Sequence, residues 1–118
     1  MNIFVFGSNR LGVHSASGGA REAHAHYGAV YGRGEGLAGQ SYAIPTKKTP
    51  HVSLPLEEVA VGIERFKRFA HDHREHEFHL TRVGCGLEGF TDEQIAPYFR
   101  DSPPNVHLPD RWTGLLST

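Results

Sequence analysis

The sequence predicts an α/β fold with a mainly parallel sheet and helices on its faces, and three observations lead there. Strand-like and helix-like runs alternate along the chain, the order that strand–helix–strand units require. The first apolar run, "NIFVFG", is continuous rather than alternating, as in a strand covered on both faces. Residues 55 to 71 place Leu56, Val59, Ile63, Phe66 and Ala70 at steps of three and four, which gives a helix one buried face.

Taken in order, the first strand is expected to end where Gly7 breaks the run. After the loop "SNRLGVHSAS", Ala16, Ala20, Ala23 and Tyr27 recur at helical spacing, and Gly28 offers a helix end. Residues 28 to 41 are mostly Gly, Ser, Arg and Glu and read as an irregular connection. "SYAIP" is a second strand closed by Pro45, and "TKKTPHVS" a loop. The long helix follows, with Glu57 and Glu58 in its positively polarised first turn. "HDHREHE" reads as a solvated turn and "FHLTRV" as a third strand. Thr91 with Gln94 three residues on forms a capping box, opening a short helix that Pro97 must weaken or end. "NVHLP" is the last strand. A length of 118 residues supports one hydrophobic core, so residues 1–118 are expected to form a single domain.

Composition narrows the function classes. Twelve Lys and Arg against 13 Asp and Glu leave a net charge of -1, which provides no broad cationic surface for a nucleic-acid backbone. Any bound anion must be met locally. Cys85 is the single cysteine, which excludes an intramolecular disulfide, and no targeting signal or long apolar run is evident, so a cytoplasmic protein with no membrane role is expected. His71, His73, His76 and His79 crowd together without the i, i+4 spacing that puts two imidazoles on one helix face. They read as a solvated turn, and neither a metal nor a cofactor is expected.

In a parallel sheet, the loops leaving the carboxyl ends of the strands gather on one edge, where ligands bind. Three loops qualify: "GSNRLGVHSASGGA", "PTKK" and "GCGLEGF". Glycines let backbone approach a phosphate closely, and a helix amino terminus offers N–H groups and partial positive charge to an anion. The alternative for "GCGLEG" is a tight strand-to-helix turn with no ligand. It also fits the dinucleotide pattern G-x-G-x-x-G with Asp110 about twenty residues on, but only nine residues remain beyond Pro109, too few for the further strands such a fold needs. "GEGLAG" at 34 to 39 precedes a strand and is set aside.

Among side chains, Lys47 and Lys48 disfavour each other's charge, and burial would push either toward a nucleophilic amine; phosphate pairing or plain solvation are the milder roles. Glu88, among glycines, could orient a ribose hydroxyl or act as acid or base. Cys85 as a nucleophile would need a cationic neighbour, and between two glycines it reads rather as a small buried thiol.

In order, these loops resemble the binding loops of macrodomains, the ADP-ribose-binding fold, over residues 3 to 108. "FVFGSN" resembles their strand ending in an asparagine-bearing turn, and "SASGGAREAHAHYG" their small-residue turn into a helix. "SYAIPTKK" is similar to the strand end of the ADP-ribose-1''-phosphatase and antitoxin branches, and "RVGCGLEGF" to their diphosphate loop. The spacing from "TKK" to "GCGL" is similar to that of terminal ADP-ribose protein glycohydrolase. The pattern "FVFGSN…GEGL.G.SYAIPTK…GCGL.G" resembles most closely a family of phage-associated nonstructural proteins.

The resemblance implies a minimal macrodomain-like fold that binds ADP-ribose or a related NAD-derived nucleotide, sequestering an ADP-ribose-derived immune signal for a phage. It implies contacts from Asn9 and from Ser17, Gly18 and Gly19 at the first loop, and from Thr46 and Lys48 at the second. At the third it implies Gly84, Cys85, Gly86, Leu87, Gly89 and Phe90. By position the catalytic lysine falls on Lys47 and the catalytic aspartate on Glu88, one methylene longer. The alternatives are an ADP-ribosyl hydrolase acting on modified protein or nucleic acid, with nucleic acid a partner only in that role, and a structural interaction domain without nucleotide.

Overall fold

The computed structural model describes residues 1–13, 18–85 and 89–117. Its centre is a strand, β1 (Asn2–Asn9), flanked in parallel by β3 (Ser41–Thr49) and β5 (Glu77–Leu80). Two short strands complete the sides: β2 (Gly36–Ala38), antiparallel to β3, and β6 (Val106–His107), parallel to β5, giving the order β2-β3-β1-β5-β6. A sixth strand, β4 (Val52–Ser53), turns back antiparallel on the end of β3. The described chain is thus mixed α/β with a mostly parallel sheet.

Side chains alternate across this sheet with the period of two that a strand imposes. Ile3 and Val5, Tyr42 and Ile44, and Phe78 and Leu80 face one side. There they meet Val59, Ile63, Phe66 and Ala70 of α2 (Leu56–Asp72). The same core takes in Ile95 of α3 (Asp92–Ile95), Ala96 and Phe99 of the 3-10 turn that continues it (Ala96–Phe99), and Trp112 of α4 (Asp110–Leu116). Phe6 and Ala43 face the other side, against Ala20 and Ala23 of α1 (Gly18–His26). Phe4 stacks there on Tyr27 with ring centroids 4.4 Å apart. Burial of β1 on both faces follows from its central place.

Several boundaries differ from the sequence reading, each for a local reason. β1 does not stop at Gly7, because the ladder to β3 carries it on, with Gly7 opposite Ile44 and Asn9 opposite Lys47. β3 passes through Pro45. Its pairing with β2 ends at Ala43, so the missing N–H falls where the strand has no neighbour on that side. The expected loop "TKKTPHVS" is a hairpin, with Lys47 opposite Ser53 and Thr49 opposite Val52. The irregular stretch 28 to 41 contains β2, too short to carry a periodic signal. The third strand ends at Leu80 rather than Val83, since Thr81 turns both its N–H and its hydroxyl onto the Val5 carbonyl, each at 2.9 Å.

Other expectations hold. α2 starts one residue later than predicted and ends one later, and Gly28 follows α1 at φ +77°. The capping box is present: the Thr91 hydroxyl accepts the Gln94 N–H at 3.2 Å, and the Gln94 side chain accepts the Thr91 N–H at 2.9 Å. The helix tightens into a 3-10 turn at Pro97. α4 was not foreseen. Lys67, nearly buried, ties α2 to the 3-10 turn and the residues after it through Tyr98 O at 2.8 Å and Asp101 at 2.6 Å, and pairs with Glu64 of α2 itself at 2.9 Å. Burial works against its charge, but the bonds to Asp101 and Glu64 outweigh it and hold the ammonium above its ordinary pKa. Among the described residues no helix is long and apolar enough to cross a membrane.

Candidate functional site

Because β1, β3 and β5 are parallel, their carboxyl ends emerge on one edge, and the described parts of the three segments singled out from sequence meet there. The contacts are direct. A Cβ on Gly84 would lie 3.4 Å from the Thr46 methyl, so the turn after β5 rests on the end of β3. A Cβ on Gly89 would lie 3.3 Å from the Ser53 hydroxyl of the hairpin. One on Gly19 would lie 3.3 Å from Phe6 Cβ and 3.6 Å from Thr81, which sets the first turn of α1 flush against β1 and the exit of β5. A helix start leaves its first N–H groups without intrahelical partners.

The side chains divide into those that shape this edge and those that face outward from it. Asn9 is nearly buried and closes its own loop: its amide donates to the Val13 carbonyl at 3.0 Å and its oxygen accepts the Val13 N–H at 3.2 Å. Thr46 is fully buried and donates to the Ser8 carbonyl at 3.2 Å, bracing β3 on β1 across the bulge that pairs Asn9 with Lys47. Behind β1, a Cβ on Gly34 would lie 2.3 Å from the Asn9 carbonyl, so only glycine lets the chain before β2 approach so closely. The Ser8 hydroxyl donates to the Gly34 carbonyl and holds that approach.

Lys47 lies within β3 rather than in a loop. It is half-buried, opposite Asn9, with its ammonium donating to the Pro50 carbonyl at 3.4 Å. Lys48 is exposed. Arg10 leaves the end of β1 to pair with Glu58 in the first turn of α2 at 3.2 Å. In the turn after β5, Cys85 is half-buried rather than buried, with its thiol 3.6 Å from the Val83 carbonyl. Its N–H donates to Arg82 O at 3.0 Å, and the N–H of half-buried Phe90 donates to Gly84 O at 3.0 Å, drawing the two ends of the turn together. Gly84 and Gly89 reach this path at φ +79° and +101°. Ser17, Gly86, Leu87 and Glu88 lie outside the described residues.

The residues that hold this turn in place escaped the sequence reading. Asp92, 7% exposed at the start of α3, accepts two bonds of 2.8 Å from Arg82, one of 2.7 Å from the Trp112 indole and one of 3.5 Å from Arg111. The bonds from Arg82, against the cost of burial and with help from Trp112, hold its carboxyl far below the ordinary carboxylate range. Arg82 is correspondingly raised, chiefly by its bond to Asp92. The capping box at Thr91 was the available signal, since it places Asp92 at the first helical position.

The fold and site together define an α/β domain whose glycine turn, lysine-bearing strand end and helix start share one edge. Comparison with protein-family models, with curated proteins and with solved structures finds no match for the chain.

Proposed function

We propose that this edge binds ADP-ribose or a related NAD-derived nucleotide, that the fold is a minimal macrodomain-like one, and that the protein sequesters an ADP-ribose-derived immune signal for a phage. One observation carries the reading: the described parts of the three segments that resemble macrodomain binding loops share one sheet edge, with Gly84 against Thr46, Gly19 against Thr81 and Asn9 opposite Lys47. The diphosphate would lie over the turn after β5 and the first turn of α1, where backbone N–H groups and glycines suit an anion. Asn9 and Thr46 serve as the frame beneath it. Lys47 supplies a local cation in a chain with no net positive charge.

A hydrolase is the second reading, favoured by the half-buried position of Lys47 inside a strand rather than on a solvated loop. Lys47→Ala separates the two. For a sequestering protein, the wild type returns ADP-ribose chemically unchanged after long incubation, and Lys47→Ala weakens binding by about 1.5–3 kcal/mol, the range for a hydrogen bond to a charged group. Repeated release of free ADP-ribose from a modified protein or oligonucleotide, abolished in Lys47→Ala and in Glu88→Gln, would establish the hydrolase instead.

A further inference from the structure

The turn that Gly84 makes in the connection between β5 and α3 is gripped from its two flanks. Arg82 stands before it and Asp92 after it, and their two parallel bonds of 2.8 Å close the intervening chain with a bidentate ion pair. The third close donor comes from a distant element. Trp112 of α4 is fully buried, stacks on Phe99 with centroids 5.4 Å apart, and donates its indole N–H to the same Asp92 oxygen that receives Arg82 Nε.

We propose that Asp92 is the positioning residue of this turn and that Trp112 couples the seating of α4 to it, so that α4 and the occupant of the turn are thermodynamically linked. The geometry leaves the carboxylate little freedom while all its donors are present. Without the indole bond, Oδ1 loses one of its two close donors, and the carboxylate can rotate and loosen its hold on Arg82. Arg82 then transmits the change directly, because its carbonyl accepts the Cys85 N–H that shapes the turn. Linkage is reciprocal: a ligand that steadies the turn must steady α4 equally. The ligand half of this inference rests on the nucleotide reading, whereas the coupling itself does not.

The test is amide hydrogen exchange in the full chain, comparing wild type with W112F and R82K. W112F keeps a ring to stack on Phe99 and removes the N–H; R82K keeps the charge and removes the fork. Exchange at Cys85 and Phe90 is expected to quicken about tenfold in either variant, as loss of one charged hydrogen bond implies. The Gly32 and Gln40 amides, which close turns beside β1 and before β3, should keep their wild-type rates. Unchanged exchange at Cys85 and Phe90, or equal acceleration at all four amides, would overturn the coupling. Titration with ADP-ribose adds a separate result. If wild type binds, W112F should bind about tenfold more weakly, and equal affinity would refute the linkage. If wild type does not bind while Cys85 and Phe90 still respond, the nucleotide reading fails and the coupling stands.

Discussion

Asp92→Ala is expected to lower stability by about 3 kcal/mol, measured as a shift in urea unfolding with an unchanged slope. Removing one partner of a buried charge pair typically costs about 3–5 kcal/mol; the lower end applies because the Arg82 side chain, 42% exposed, recovers water. The Trp112 indole N–H cannot recover water, since the residue is fully buried, and it is left without its carboxylate. The same carboxylate gives stability a pH dependence of definite sign. Its folded pKa is depressed, so its contribution is present above the unfolded value of about 4 and is lost as pH falls through the lower folded one. Asp92→Asn should therefore flatten the acid side of the stability profile below about pH 4. An acid limb identical to wild type would show that Asp92 is not what sets it.

Phe66→Ala is expected to cost about 3–5 kcal/mol, the range for emptying a large aromatic site in a packed core. Phe66 is fully buried where α2 meets the sheet, with ring centroids 5.0 Å from Tyr42, 5.5 Å from Phe78 and 6.3 Å from Phe99. Those neighbours come from β3, β5 and the 3-10 turn, so collapse around the vacancy would have to move three elements at once. A loss below about 1 kcal/mol would mean that α2 is not the main cover of this face.

What was legible in the sequence follows from how far each signal reaches along the chain. The 17-residue α2 is visible because its buried face repeats over many turns, and Thr91 and Gln94 mark a helix start within three residues. β1 and β3 were visible as apolar runs, but their ends were not. Gly7 and Pro45 look like stops in isolation, and only the neighbouring strands, present at Gly7 and absent on the β2 side of Pro45, remove the penalty. The hairpin at β4 escaped notice because its second strand is two exposed residues whose pairing with β3 is a tertiary fact. α4 escaped for a similar reason: in seven residues, only Trp112 is buried, and its partners Asp92 and Phe99 are far back in sequence. At the site, glycine spacing marked segments that the fold brings to the carboxyl edge of the parallel strands. The grip of Arg82 and Trp112 on Asp92 spans ten and twenty residues and leaves no local pattern.

The most direct test of the nucleotide reading is calorimetric titration of the full chain with ADP-ribose, beside NAD, AMP and cyclic ADP-ribose. One saturable site for at least one ADP-ribose species is expected, and at a hundred times its dissociation constant that ligand should add about 2.7 kcal/mol to stability and raise the melting temperature. Absence of heat and of any melting shift with all four compounds would contradict it.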